Sequence, residues 1–365
     1  MQIKDLVVKL LRWDLDPPVS NPVLTWDKKE IVLVFVETED GMFGVGEGWV
    51  AGGTARALVA TLEDDVAPVV VGRDARDIAA IWEDLELSRS ISARPGIIRA
   101  AMSADDIALW DLLGQKAGLP LYRLLGGHSN RAFVYASAGL YGKDKSVSDL
   151  ADEMSGYIAK GFTAVKMKVG GASIAVDVER VKAARDAIGP DHRLMVDAVC
   201  GMTTQDALKL AERIRPFDVY FFEQPVAAYD FEGMAIINER SGLPVTGNEN
   251  FIEQREFHEL LMRKSITFTQ FDLAICGGIT EGLRIAATAR HWRSPVTVHS
   301  AGSLVCMAAS LHTAAALPNC ESVEYHMLHS WLFDRAPAGF LDVDNSHIQL
   351  SERPGLGLSL HPDDF

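Results

Sequence analysis

From residue 162 to residue 325 the chain repeats one pattern, a short apolar run that ends in an ionisable residue. Leu194-Met195-Val196 ends in Asp197, Tyr220-Phe221-Phe222 in Glu223, and Pro244 to Asn248 in Glu249, with a step of 26 residues each time. Asp272 follows Phe271, His299 follows Val296-Thr297-Val298, and Glu324 follows Val323. A strand, a loop, a helix and a second loop take about that many residues. Each charged group therefore falls where a strand stops. Strands that stop together build one site at one mouth of a barrel, the end where (β/α)8 enzymes keep their chemistry. Strands are expected near 132–137, 162–169, 193–197, 218–223, 243–248, 267–272, 295–299 and 321–325, with helical patterns between them. Eight strands in βα alternation are what a closed α/β barrel requires.

Such a barrel takes about 250 residues, and the rest of the 365 lies mainly on its N-terminal side. Leu6–Leu10 and Ile31–Thr38 read as strands, separated by a polar, proline-bearing loop from Pro17 to Lys29, and Phe43–Glu47 reads as a third. Residues 48–53 have the glycine content of a mobile loop. Thr54 and Asp74 are expected to cap helices reaching Val69 and Leu87. Ile97–Ala117 carries apolar residues at helical spacing and stops at Gly118. Three strands followed by three helices indicate an α+β domain over residues 1–125. The barrel then spans 126–335, and 336–365 is expected to fold back onto the first domain. Gly44-Val45-Gly46-Glu47-Gly48 is no dinucleotide fingerprint, since no third glycine falls in register and the surroundings are a meander.

The chemistry begins at Ala164-Val165-Lys166-Met167-Lys168-Val169-Gly170. Side chains alternate along a strand, so Lys166 and Lys168 share one face. Two ammonium groups on so apolar a strand are costly to bury unless carboxylates or an anionic ligand stand opposite. Asp197, Glu223 and Glu249 supply them from neighbouring strand ends, an oxygen-only set suited to Mg2+. Near a dication and near each other, the lysines are expected to have pKa values lowered toward the range of a general base, one acting as base and the other staying charged on a carboxylate or enolate oxygen. Asp272 and His299 end adjacent strands and would form a dyad in which the carboxylate orients the imidazole. Glu324, if protonated, would donate a hydrogen bond to an oxygen gaining charge; Glu321 competes for that role.

A formal net charge of −15 argues against a nucleic-acid backbone or an anionic membrane as partner. Cys200, Cys276, Cys306 and Cys320 form no CxxC pair and are expected to be reduced. No signal-like N-terminus and no membrane-length apolar run is visible, so the expected address is the cytoplasm. No Ser-His-Asp or Cys-His arrangement stands out.

This constellation resembles the enolase superfamily and, within it, the mandelate racemase branch. Lys166-Met167-Lys168, the three carboxylates and Asp272 with His299 agree with that family in type and order, as do Ser103 to Asp111 and Leu124-Leu125-Gly126-Gly127. The resemblance implies a modified (β/α)7β barrel closed by an α+β capping domain, with capping loops at about 15–29 and 48–54. It implies a Mg2+ cofactor, a homo-oligomer, and removal of the proton α to the carboxylate of a small acid through an enediolate, a step for which this superfamily pairs a Lys or His base with Mg2+. It assigns Lys168 as base on one face, Lys166 as the cation on the substrate carboxylate, His299 as base or acid on the other face, and Glu324 as partner of the enediolate. Trp26, Lys28, Lys29 and Trp49 in the capping loops are the expected specificity residues. The family commonly has Asp-Ala-Asn after the first ligand, whereas here Asp197-Ala198-Val199-Cys200 lacks the amide. The resemblance points to dehydration of an aldonic or aldaric acid to a 2-keto-3-deoxy acid, with racemisation, epimerisation and cycloisomerisation as alternatives. A non-catalytic binding protein and a metal-free Schiff-base aldolase are the contrasting readings.

Overall fold

The computed structural model describes residues 1–90 and 96–365. Strands β1 (Ile3–Ser20), β2 (Thr25–Thr38) and β3 (Phe43–Gly48) form an antiparallel sheet in that order. The proline-bearing segment expected as a loop is instead an extended hairpin, paired out to Ser20 and Thr25. Pro17 and Pro18 fall in a bulge between Asp14 and Val19 on the edge strand β1, where a missing N–H costs little, and Pro22 falls in the turn. The turn is held by Asn21, whose Oδ1 accepts the amides of Val23 and Leu24, each at 2.8 Å.

Helices α1 (Ala55–Thr61) and α2 (Ala67–Val70) follow, joined by one π-helical turn, then α3 (Ile78–Ser90) and α4 (Ile97–Ala117). Thr54 stands at the N-cap of α1, yet its hydroxyl bonds to Ala51 O at 2.9 Å rather than to the helix. Asp74 does not cap α3, which starts four residues later; its carboxylate closes a turn by accepting Arg76 N at 3.0 Å. α4 ends as expected at Gly118, in the left-handed region with φ 67°. It is buried on nearly every side, between the sheet and the barrel.

After α5 (Leu121–Leu124) come β4 (Arg131–Ser137), α6 (Val147–Ala159), β5 (Ala164–Lys168), α7 (Ile174–Ile188), β6 (Arg193–Asp197), α8 (Thr204–Ile214), β7 (Val219–Glu223), α9 (Phe231–Arg240), β8 (Val245–Thr246), α10 (Gln254–Met262), β9 (Thr269–Asp272), α11 (Gly278–His291), β10 (Val296–His299), α12 (Leu304–Ala316) and β11 (Cys320–His326). The strands lie parallel in the order β8-β7-β6-β5-β4-β11-β10-β9. Thr267 N and Phe268 N donate to Val245 O at 2.8 and 3.2 Å, bringing the two ends of that sheet together. Seven helices between eight strands make this a (β/α)7β barrel with a separate antiparallel cap. Among the described residues no helix is long and apolar enough to cross a membrane, and all four cysteines are free.

The final segment adds β12 (Val343–Asp344) and β13 (His347–Gln349), the latter antiparallel to the start of β4. It then runs to the cap. Leu356 N donates to Asp111 Oδ1 at 2.8 Å, and Lys9 Nζ reaches Phe365 O at 3.2 Å. Asp111 also accepts Val45 N at 3.0 Å, so one carboxylate ties β3, α4 and the tail together.

The glycine run Gly44-Val45-Gly46-Glu47-Gly48 has a packing purpose. Its glycines recur every two residues on β3 and meet Ala108, Ala104 and Ala100, which recur every four on α4. A Cβ at Gly46 would overlap the Ala104 carbonyl oxygen, and backbone on both sides leaves nothing soft to give. Gly46→Ala is therefore expected to lower stability by more than about 3 kcal/mol in urea unfolding. Gly156→Ala, in α6 with open space around it, should instead raise it by about 0.5–1 kcal/mol. Equal effects would show that the close approach of strand and helix is not what these glycines serve.

Candidate active site

Strand register assembles the site. Lys168 on β5 lies directly opposite Asp197 on β6, Asp197 opposite Glu223 on β7, and Asp272 on β9 opposite His299 on β10. Lys166 is wholly enclosed. Its Nζ stands 2.6 Å from Glu223 Oε2, 3.1 Å from Glu324 Oε1 and 3.7 Å from Asp197 Oδ2. Lys168 Nζ bonds Asp197 Oδ2. His299 Nδ1 is 2.6 Å from Asp272 Oδ2, while its Nε2 lies 3.5 Å from Glu324 Oε2. Ala274 N donates to the other oxygen of Asp272 at 2.7 Å, which holds that carboxylate in plane for the imidazole. Glu321 is elsewhere, at the opposite end of β11, bonded to Arg193 and Tyr220 at 2.7 Å each.

The electrostatics correct two expectations. Burial alone would lower the pKa of Lys166, but Glu223, Glu324 and Asp197 outweigh it and hold it well above its ordinary value. The lowering expected for both lysines does not hold for Lys166, and its raised value accords with the cationic part that the resemblance gives it. Burial likewise opposes charge on Glu324, and Lys166 and His299 overrule it, keeping its carboxyl far below the usual range. Glu324 is therefore held as an anion between Lys166 and His299, where a protonated donor was expected. His299, desolvated but facing Glu324 and Asp272, is pushed up to about 9 and carries a proton at neutral pH. Burial and the charge of Asp197 push Glu223 up to about 8, and burial raises Glu249 as well.

A cavity of about 570 Å³ opens between these strand ends and the cap. Lys168, Asp197, Glu249 and His299 line it from the barrel; Trp26, Lys28, Lys29 and Trp49 line it from the hairpin and the loop after β3. Lys28 is exposed at the rim and Lys29 is buried, at the point where β2 passes from solvent into the interior. Lys166, Glu223, Asp272 and Glu324 lie beneath the wall and hold the lining groups in place. Asp197, Glu223 and Glu249 are the residues able to hold a hard divalent cation. Among the described residues no three such side chains converge at ligand distance, because Asp197 and Glu223 turn oxygens to the lysines.

Three contributions were not anticipated. Glu47 on β3 crosses from the cap to the start of α12, accepting Ser303 N at 2.9 Å, Ser303 Oγ at 2.6 Å and Cys306 N at 3.1 Å. It docks the capping domain on the barrel through a helix N-terminus. His326 and His329 also line the cavity. His326 was legible in principle, two residues beyond Glu324 on the same strand face; His329 follows in a turn and carries no periodic signal.

A family model described as "Mandelate racemase / muconate lactonizing enzyme, N-terminal domain" matches residues 3–126, and one described as "Enolase C-terminal domain-like" matches residues 149–364. The chain belongs to the mandelate racemase branch of the enolase superfamily. Arabinonate dehydratase of Saccharolobus solfataricus is 32% identical over 92% of this chain and 90% of its own. D-galactarolactone cycloisomerase of Agrobacterium fabrum is 31% identical over 100% and 97%. A racemase from Streptomyces coelicolor A3(2), crystallised with bound magnesium, superposes with a TM-score of 0.91 at 30% identity, covering 98% of this chain and 97% of that one.

In this mandelate racemase-like chain the missing amide after Asp197 has a structural cost. Val199 sits at φ 45° and Cys200 at φ 61°, in the left-handed region. Asn tolerates that region, whereas a β-branched side chain there is strained. Val199→Asn is expected to raise stability by about 1 kcal/mol, read as a higher urea midpoint at unchanged slope. A lower midpoint would mean that the apolar contacts of Val199 outweigh the backbone strain.

Proposed function

We propose that this chain removes the proton α to the carboxylate of an acid sugar and expels the β-hydroxyl, giving a 2-keto-3-deoxy acid. The observation that carries this reading is the placement, across one cavity, of Lys168 on β5 and His299 on β10, with the His299 ring held by Asp272 at 2.6 Å. Lys168 lines the cavity and, once it has given up its own proton, is the candidate to take the α proton. His299 arrives with a proton to give, held on the ring by Asp272, and is the candidate to protonate the departing hydroxyl. Lys166 and Glu324 fix positive and negative charge beneath these two groups, so neither has to reorganise as charge develops.

The site fits the divalent cation of the resemblance. Asp197, Glu223 and Glu249 are crowded together, and burial with the repulsion of neighbouring carboxylates raises Glu223 and Glu249, the crowding that a divalent cation relieves. Glu249 Oε2 is buried with no hydrogen-bond partner. Mg2+ bound by Asp197, Glu223 and Glu249 would supply the charge stabilisation that lets so weak a carbon acid ionise near neutral pH. Relatives named as a dehydratase, a cycloisomerase and a racemase support the enolisation more strongly than the step after it.

Proton NMR in D2O with Mg2+, against aldonic, aldaric and uronic acids and anhydro-galactonate, separates the outcomes. Loss of substrate with a new 3-deoxy methylene signal is expected; exchange of the α proton without net loss would make the enzyme a racemase or epimerase. EDTA should abolish either signal and added Mg2+ restore it. Lys168→Ala should lose exchange altogether. His299→Asn should keep exchange and lose the methylene product. If His299→Asn also loses exchange, His299 is the base and the assignment is reversed.

A further inference from the structure

Lys29 carries a buried ammonium that the protein itself does not pair. It is 8% exposed, donates one hydrogen bond to Ala301 O at 3.2 Å, and lies 5.0 Å from the centre of the Trp49 ring. Among the described residues no carboxylate stands within ion-pair distance of it. Glu47, the carboxylate whose field reaches it most strongly, gives its oxygens to Ser303 and Cys306 at the start of α12. A buried charge left this way is costly unless something anionic shares the space.

Two imidazoles stand on the same cavity. His326 and His329 have ring centres 4.3 Å apart. Leu328 N donates to His326 Nδ1 at 3.2 Å, which leaves the ring proton of neutral His326 on Nε2. His329 is 8% exposed, and its Nδ1 is buried with no partner. Burial keeps both rings neutral, and the charges of Lys29, Lys168 and His299 act on His329 in the same direction. The cavity is thus polarised, with carboxylates at the Asp197–Glu249 end and an unpaired ammonium beside two neutral imidazoles at the other.

We propose that Lys29, with His326 and His329, forms a second subsite that binds the distal carboxylate of the substrate, making the preferred acid a dicarboxylate. This rests on the acid-sugar reading above. A sugar hydroxyl at that end would satisfy the imidazoles and leave the ammonium unpaired; a carboxylate satisfies both. The role is recognition and not bond breaking, since Lys29 comes from the cap and not from the strand ends that carry Lys168 and His299.

The test is binding of unreactive acids of equal length to the Mg2+-loaded protein by calorimetry, alongside the exchange assay. Adipate should bind at least about tenfold more tightly than hexanoate. Lys29→Met should abolish that preference, and Lys29→Arg should keep most of it. Among substrates, Lys29→Met should raise KM for aldaric acids at least about tenfold and leave aldonic acids within a few-fold. Equal affinity of the wild-type protein for the two acids would overturn the subsite, as would a preference that survives in a folded Lys29→Met. The two readings fail separately. Adipate preference without α-proton exchange on any acid would keep the subsite and sink the proposed reaction, whereas exchange without preference would do the reverse.

Discussion

The ammonium group of Lys166 is the constraint on which the site depends. It is wholly buried, and it holds carboxylates from β6, β7 and β11 that would otherwise repel one another across the barrel mouth. Removing one partner of such a cluster leaves charge stranded in a dry interior, which is far more damaging than losing an exposed ion pair. The arrangement trades stability for definition. Glu324 stays ionised because Lys166 and His299 flank it, and His299 stays protonated because Glu324 and Asp272 flank it. Each protonation state depends on the next, so the acid-base character of the cavity wall is set by groups that do not line it.

The second dependence runs between the domains. Glu47 from the cap sheet holds the N-terminus of α12. Asp106 from α4 does the same for α11, accepting Thr280 N at 2.9 Å and Thr280 Oγ1 at 2.5 Å. Trp82 Nε1 reaches Gly277 O at 2.9 Å along the same seam. Two helices of the barrel thus begin on carboxylates that belong to the cap, the favourable placement of negative charge against a helix dipole. α11 and α12 each start a few residues beyond Asp272 and His299, so the same contacts that dock the cap steady the dyad.

Much of this was legible because strands pair in register. Charged residues at a fixed interval could not all end parallel strands without meeting, and the pairings Lys168–Asp197, Asp197–Glu223 and Asp272–His299 are those meetings. Every barrel strand lay within a few residues of its expected place. The misses have common causes. The Pro17–Lys29 stretch was misread because proline content speaks against a strand in general but not on an edge with a bulge. Asp74 has the right residue type for a cap, but its backbone turns before the helix begins. The charge states of Lys166 and Glu324 depend on which charged groups each faces through space, and composition along one strand does not carry that. The glycine run on β3 was excluded as a nucleotide motif, but spacing alone does not say what approaches it; the partner is α4.

The cavity has two ends of opposite sign, and they come from different domains. Barrel strands bring the excess of carboxylates that a divalent cation would balance, while the hairpin of the cap brings Lys29. Lys29 and His299 flank the same Trp49 ring, Lys29 at 5.0 Å from its centre and the His299 ring at 6.3 Å between centres, so an anion bound at the Lys29 end sits one ring away from His299. In a dry site such charges do not act alone. A distal carboxylate at Lys29 would help His299 keep its proton, and a neutral hydroxyl there would not. With a distal carboxylate at Lys29, recognition by the cap and proton donation by the barrel would be coupled, and the end of the substrate that does not react would help determine how readily the reacting end does.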